Sequence, residues 1–335
     1  MNKLKKILTA LLCVITSAAA SADGHKAGEK SPTLSIKKSD KQQQVLIDGE
    51  LFVGYNTKDA AKPFLYPIIG PTGANMTRHF PMKKDVDGES DDHPHHTSFW
   101  FAHGGVNGVD LWHGKGKAVE NVMSVLAQPT PHSATIGASD IWLKKDKTAM
   151  AEVGTDYGFT VLKDGSRVID YRTDIAPTDN VDQLVFADTK EGTMAIRLAP
   201  QLRLKGDVAT GKAINSNGDK DGKVWGERAK WVAYWGVIDD KTCGVAIFDH
   251  PTNLRHPTWW HARDYGLVAA NPFGMSDFER GKHKRGAGEH TVKLGESLNL
   301  NYRFVFFAGT AEEADIAGKY DQWVKKTTPQ EAKEE

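Results

Sequence analysis

The sequence predicts an all-β protein built as one large antiparallel β-sandwich with a short C-terminal helix. Short runs rich in Val, Ile, Phe, Tyr and Trp alternate with Gly and Asp turns over roughly 300 residues. Helical periodicity is nearly absent until the C-terminal end, so long sheets must supply the core.

Two hairpins carry the clearest strand signals. Val45–Ile47 precedes Asp48-Gly49, and Phe159–Leu162 is joined to Arg167–Tyr171 through Asp164-Gly165. Asp-Gly between apolar runs is typical of a tight hairpin turn. Further strands are predicted at Thr193–Leu198, Trp231–Ile238, Gly244–Asp249 and Leu298–Phe307.

One helix is predicted at the C-terminal end of the fold. The stretch Ala311–Lys326 places Ile316, Tyr320 and Trp323 at helical spacing. We predict a single β-sandwich domain over residues 33–326, preceded by a flexible leader at 23–32 and followed by a disordered tail at 327–335.

The first 22 residues are predicted to be a cleaved signal peptide. They combine three lysines, an apolar run over Ile7–Ile15 and the small residues Ala20-Ser21-Ala22. Cleavage near Ala22 would send the mature chain to the periplasm or outside the cell. No later run reaches the ~20 apolar residues of a membrane helix, so no membrane span is expected.

The composition excludes several kinds of protein. The chain has 43 basic and 43 acidic residues in 335. It therefore has no excess positive charge that would attract the phosphates of a nucleic acid. Removal of the signal peptide leaves Cys243 as the one cysteine, which excludes an intramolecular disulfide. Eight of the thirteen histidines fall in two windows, 93–113 and 250–261.

The first histidine window begins with Asp92-His93-Pro94-His95-His96. If it were extended, His93 and His95 would share one face, an arrangement that suits one metal ion, and His96 would take the other. Asp92 would orient an imidazole. Three interpretations stay open: a catalytic metal at His93, His95 and His113, a polar ligand with acid/base chemistry, or purely structural histidines.

The same window continues through glycine-bearing turns around Asn107. These turns bring Asp110 and Trp112 towards the preceding strand. A carboxylate and an indole are what a sugar site needs, although Trp112 is equally suited to filling the core.

The second window is rich in His, Trp, Arg and Asp and too rich in Pro for a central strand. It reads as an ordered loop that carries binding residues, with candidates at His250, Trp260, His261, Arg263, Asp264 and Tyr265. We hypothesise that both windows meet in one cleft. Glu227, between two tryptophans, is a candidate general base, although solvated strand-end glutamates are more common.

Several long segments resemble the PmoA-like family of secreted bacterial proteins, labelled methane oxygenase PmoA. They are TRHFP (77–81), DHPHH (92–96), FWFAHGGVNGVDLW (99–112), FDHPTNLRHPTWWHARDYGLVAANPFG (248–274) and YRFVFFAG (302–309). The resemblance implies a β-supersandwich of the galactose mutarotase type and a setting in carbohydrate degradation.

Together these features predict a secreted carbohydrate-active protein. His96 or His103 would be the general acid or base. Arg78 and Arg263 would hold an anionic or polyhydroxylated group, and Trp112 or Trp260 would stack on the sugar. The reaction would be an epimerisation, a hydrolysis or an elimination.

Two alternatives remain. One is a metal-dependent oxygenase or hydrolase that binds a divalent metal through His93 and His95, with His103, His113 or His250 as third ligand. The other is a sugar-binding protein without catalytic activity.

Overall fold

The computed structural model describes residues 31–39, 42–58, 60–114 and 116–328. The predicted signal peptide, most of the predicted leader and residues 329–335 of the predicted tail lie outside the described residues.

Strands dominate the described part of the chain. They are β1 (Leu34–Lys38), β2 (Gln43–Ile47), β3 (Glu50–Asn56), β4 (Phe64–Ile68), β5 (Phe99–His103), β6 (Val119–Thr130), β7 (Ser133–Leu143), β8 (Ala149–Val161), β9 (Arg167–Pro177), β10 (Gln183–Phe186), β11 (Gly192–Arg197), β12 (Lys212–Asn215), β13 (Trp231–Ile238), β14 (Lys241–Asp249), β15 (Trp259–Ala262), β16 (Leu267–Asn271), β17 (His290–Lys293) and β18 (Leu298–Ala308). The helices are α1 (Met275–Phe278) and α2 (Ile316–Thr327), with 3₁₀ turns at Pro200–Leu202 and Asp221–Val224. In these residues no helix has the length and apolar character needed to cross a bilayer.

Two eight-stranded antiparallel sheets form the sandwich. Sheet 1 has the order β1-β2-β3-β4-β5-β11-β16-β15, and sheet 2 has the order β12-β13-β14-β18-β9-β8-β7-β6. Strands β10 and β17 form a small separate sheet. The predicted all-β architecture with antiparallel sheets and a short C-terminal helix is confirmed.

Aromatic side chains join the two sheets. Phe99 of β5 packs on Phe304 of sheet 2, with 4.4 Å between ring centroids, and Phe101 stacks on Tyr171 at 5.7 Å. Since side chains alternate along a strand, Trp100 between them must point to the opposite face of sheet 1. We call the face of sheet 1 that points away from sheet 2 the outer face.

Both predicted hairpins are confirmed. Asp48 and Gly49 link β2 to β3 with positive φ angles of 50° and 88°, as a type I′ turn requires. Strand β9 pairs with β8 along its whole length, from Arg167 opposite Val161 to Pro177 opposite Ala151, on either side of Asp164-Gly165.

The C-terminal helix starts later than predicted. Asp315 is the N-cap, and its carboxylate accepts a hydrogen bond from the Gly318 amide at 3.1 Å, which fixes the first turn. The helix ends at Thr327, one residue into the predicted tail. It packs Tyr320 and Trp323 onto Phe248 of sheet 2.

Candidate functional site

The register of four strands arranges two rows of side chains on the outer face. The first row runs from Trp100 through Ala195 and Ala269 to His261. The two alanines end at Cβ and are fully buried, so no long side chain of this row stands between the indole and the imidazole; we call this part of the row the floor. The second row, two residues further along the strands, contains Arg197, Leu267 and Arg263.

The first histidine window forms a turn at this face and not a strand, so the extended arrangement considered above, with His93 and His95 on one face, does not apply. His93 has a φ of 45°, and the His96 amide donates to the His93 carbonyl at 2.9 Å. The turn gathers the imidazoles that a strand would have separated. The ring centroids of His93 and His96 are 4.8 Å apart, those of His95 and His96 4.4 Å, and those of His95 and His113 4.5 Å.

Two arginines and one carboxylate fix this turn. Arg78, which is buried, donates to Asp92 Oδ1 at 2.5 Å and to the His93 carbonyl at 2.9 Å. Arg197 Nη2 donates to the same Asp92 oxygen at 3.0 Å. Burial would raise the pKa of Asp92, but Arg197 and Arg78 outweigh it and lower that pKa below its usual value. Arg78 is therefore an anchor for the loop.

Arg197 also sets the tautomer of His96. Its Nη1 lies 3.0 Å from His96 Nδ1, and because a guanidinium can only donate, Nδ1 must accept. The proton of the neutral ring is then on Nε2. Burial, followed by His95 and Arg197, lowers the pKa of His96 far below its ordinary value, so the ring is a neutral N–H donor.

A buried lysine lies beside the histidines and holds the backbone of both His95 and Trp112. Lys62 Nζ donates to the carbonyls of Trp112 at 2.9 Å and His95 at 3.1 Å. Burial lowers the pKa of Lys62 to about 8. The Trp112 ring packs against Trp100 at 5.2 Å and is fully buried, so it offers no open surface for stacking on a sugar.

Five of the twelve buried side-chain polar atoms that lack a partner in the described residues lie at this face. Within the described residues, no hydrogen-bond partner exists for Trp100 Nε1, Trp112 Nε1, Thr193 Oγ1, Arg197 Nε and His261 Nδ1. Leaving such a group unpaired costs about 1–3 kcal/mol, so folded proteins keep few of them. Groups of this kind are normally satisfied by ordered water or a ligand.

The opposite wall carries an imidazole and a carboxylate. Burial lowers the pKa of His261 to about 4, so this ring is neutral at pH 7. Glu191 immediately precedes β11 and pairs with Lys190 at 2.6 Å. Burial would raise the pKa of Glu191, but Lys190, His261 and His113 together lower it. Glu191 is therefore ionised and within electrostatic reach of both walls.

Tyr265 connects the two histidine windows. Its ring stacks on His93 with 5.4 Å between centroids and an interplanar angle of 13°. The guanidinium carbons of Arg197 and Arg263 lie 4.5 Å and 5.4 Å from the centre of the same ring. The structure thus brings Arg263 and Tyr265 to the first window, while His261 lies at the other end of the row from Trp100.

Three predicted residues lie away from this cluster. His103 points between the sheets, is fully buried, and its Nε2 lies 2.7 Å from the Ala187 carbonyl. Trp260 points into the core, where its Nε1 donates to the Ala229 carbonyl at 2.9 Å. His250 lies on sheet 2 and contacts Thr327 and Trp323 of α2.

Four further candidates hold local structure. Asn107 bonds the backbone of Gln183 and Val185, and Asp110 accepts from the backbone of His113 at the rim of the cluster. Asp264 pairs with exposed Lys205 at 2.9 Å. Glu227 is exposed beside β15, where its carbonyl accepts from the Trp260 amide at 3.1 Å.

His93, His95 and His113 are close together without forming a metal-binding geometry, and the alternative third ligands His103 and His250 lie elsewhere. In the described part of the chain, no group of three or more His, Cys, Asp or Glu side chains is arranged to hold a metal ion. A separate cavity of about 180 Å³ is lined by Asn75, His79, Glu89 and Gln201, among others.

Five residues of this face were not predicted from the sequence as functional candidates: Lys62, Trp100, Glu191, Thr193 and Arg197. Only Arg197 left a recognisable signal. It is a lone cation in the run Gly192–Leu198, which is otherwise free of charge, and a charge inside a buried strand needs a partner.

The chain matches one family model over residues 42–321, which is more than half of its length. It belongs to DUF6807, a family of unknown function. No match was found among curated proteins.

Among solved structures, the DUF6807 chain is similar to a GalM/aldose epimerase homologue from C. elegans. The two are 6% identical with a TM-score of 0.31, covering 84% of this chain and 100% of that one. It is also similar to a protein described as HI1317, at 11% identity and a TM-score of 0.29, covering 83% of this chain and 100% of that one. Similarities of this size carry no information about function.

Proposed function

We propose that the outer face of sheet 1 binds a carbohydrate or another hydroxyl-rich small molecule and transforms it by acid/base chemistry. The observation that carries this proposal is the set of five buried polar atoms without partners on one face of the sheet. Hydroxyl groups both donate and accept hydrogen bonds, so a polyol can satisfy a mixed set of this kind.

The mixture of donors and acceptors supports such a ligand. Trp100 and Trp112 offer N–H donors, and the Thr193 hydroxyl serves as donor or acceptor. His261 Nδ1 supplies an acceptor lone pair if Nε2 carries the proton. The indoles therefore contribute through their nitrogen atoms and not through stacking.

The acid/base step would use side chains on opposite sides of the floor, His261 with Glu191 on one side and His96 on the other. His261, near ionised Glu191, would accept a proton, and His96 Nε2 would donate a hydrogen bond from the opposite side. His261 thus replaces the predicted His103 in this role. Epimerisation, hydrolysis and elimination all need such a pair, so the reaction type stays open.

We place this activity outside the cytoplasm, in a periplasm or a secreted protein, on the basis of the predicted signal peptide. The two histidine windows resemble the PmoA-like family of secreted bacterial proteins, and this resemblance supports the same proposed location.

A Thr-to-Val substitution tests whether the unpaired groups serve a ligand. Because Thr193→Val removes a hydroxyl without a partner, we expect the free protein to gain about 1 kcal/mol of stability. We expect the same change to weaken sugar binding about fivefold, measured by calorimetric titration with a panel of neutral sugars.

The matched control is Thr173→Val in sheet 2. The Thr173 hydroxyl donates to the Gly154 carbonyl at 3.1 Å, so this variant should lose stability and keep its sugar affinity. Unchanged binding by Thr193→Val, or no binding of any sugar by the native protein, would contradict the proposal.

Turnover separates an enzyme from a binding protein. We expect Glu191→Gln and His261→Gln to retain binding and lose at least a hundredfold in the rate of a confirmed reaction. Binding with no conversion of any sugar by the native protein would leave a carbohydrate-binding function and remove the acid/base step.

A further inference from the structure

Two arginines face one another across the outer face. Arg197 of β11 is paired with Leu267, and the Arg263 amide donates to the Leu267 carbonyl at 2.7 Å from the other side. Arg197 and Arg263 are thus two strands apart, about 10 Å between Cα atoms, on the same side of the sheet. Both guanidinium groups approach the ring of Tyr265.

Neither guanidinium has its full set of acceptors. Arg197 is 1% exposed and uses its two Nη atoms on His96 and Asp92, while its Nε has no partner in the described residues. Arg263 is partly exposed, and its guanidinium forms no hydrogen bond with any described residue. A guanidinium has five N–H donors and satisfies them best on an anion.

The charges around the floor do not balance. Lys190 with Glu191, and Lys205 with Asp264, form neutral pairs. What remains is five cations against the three carboxylates of Glu89, Asp92 and Asp110; the cations are Lys62, Arg78, Arg197, Arg203 and Arg263.

Burial makes this excess of positive charge expensive. Arg78 and Arg197 share the single carboxylate of Asp92, and Lys62 is held by two backbone carbonyls and no acidic side chain. A buried cation without a counter-charge is destabilised by several kcal/mol. An anion that enters this face would recover part of that cost.

We propose that the ligand of this site carries a negative charge, and that its anionic group is held between Arg197 and Arg263. The ligand would be a hydroxyl-rich molecule with a carboxylate or a phosphate, such as a sugar acid or a sugar phosphate. This inference rests on the proposed function, because the remaining hydroxyls would meet the unpaired groups described above.

Paired sugars test the charge directly. Calorimetric titrations of the mature protein would compare D-glucuronate and D-galacturonate with D-glucose and D-galactose, and D-glucose 6-phosphate would distinguish a phosphate from a carboxylate. We expect at least one charged sugar to bind tenfold or more tightly than its neutral counterpart at low salt. That ratio should fall as the ionic strength rises.

Arg263→Met is the decisive variant, because Arg263 is partly exposed and its loss leaves the Asp92 network intact. We expect it to lower the affinity for the charged sugar at least fivefold more than the affinity for the neutral one. Arg172→Met, an exposed arginine on sheet 2 with the same change in net charge, should alter neither affinity.

The binding results for neutral and charged sugars distinguish a failure of the anion site from a failure of the proposed sugar site. If neutral sugars bind and charged ones bind no more tightly, the site does not select an anion, although it remains a sugar site. An equal loss of both affinities in Arg263→Met would also contradict the inference. If no sugar of either kind binds, both proposals fail.

Discussion

At the residue scale, Asp92 is the carboxylate on which the histidine turn depends. It accepts from Arg78 and Arg197 through one oxygen, so Asp92→Asn would leave two buried guanidinium groups without a counter-charge. We expect the free energy of unfolding to fall by about 2–3 kcal/mol, less than for a fully buried pair because Asp92 is 39% exposed. Urea denaturation measures this change.

Asp264→Asn is the matched control for that experiment. It breaks a pair with Lys205, whose side chain is 78% exposed, and should change the free energy of unfolding by less than 1 kcal/mol. Equal effects of the two substitutions would show that Asp92 does not organise the turn.

The buried histidines make stability depend on pH. Because the folded pKa of His261 is lowered to about 4, against an unfolded value near 6.5, the unfolded state binds protons first as the pH falls. This contribution is intact above pH 6.5 and is lost between pH 6.5 and 4. We expect His261→Gln to lose about 2 kcal/mol less stability than the native protein between pH 7 and 4.5.

Thermal or denaturant unfolding across that pH range checks this prediction. His132→Gln, at an exposed histidine, is the control and should parallel the native protein. A His261→Gln curve that also ran parallel to the native curve would mean that His261 titrates normally in the folded state.

Neighbouring residues show what the sequence could not settle at this scale. Trp260 and His261 are adjacent on β15, yet alternation sends the indole into the core and the imidazole to the outer face. All four residues of β15 are buried, so no apolar–polar pattern marks which face belongs to the site.

At the element scale, the second histidine window is divided between the two sheets. His250 follows β14 of sheet 2, whereas His261 lies on β15 of sheet 1. The Pro-rich stretch between them carries the chain across the sandwich. The sequence indicated an ordered loop there, but the crossing depends on long-range strand pairing that no local pattern encodes.

Helix α2 packs against sheet 2, far from the floor, and stabilises the fold there. Trp323 packs on Phe248 and His250 of sheet 2, so Trp323→Ala should lower the free energy of unfolding by about 3 kcal/mol. Ligand affinity of the folded variant, measured by titration, should stay within twofold of the native value.

Lys325→Ala on the exposed side of the same helix is the control, with an expected change below 0.5 kcal/mol. A large loss of ligand affinity in Trp323→Ala would place His250 and its surroundings back in the functional site.

At the scale of the whole molecule, the sequence predicted the architecture better than the site. The hairpins follow from local composition and Asp-Gly turns and were right, whereas some strands are much longer than predicted: β8 begins at Ala149, ten residues before the predicted Phe159. The site depends on register: Trp100, Ala195, Ala269 and His261 come from four strands that are distant in the chain. Composition marked the histidines but could not mark the alanine floor between them.

The most direct test of the account is the position of a bound ligand. A crystal structure of the mature protein with its tightest-binding sugar should show that sugar at the outer face of sheet 1, in contact with the partly exposed side chains of His95, Tyr265 and Arg263. A ligand seated instead in the 180 Å³ cavity beside His79 and Glu89, with the floor free of sugar, would contradict the central claim.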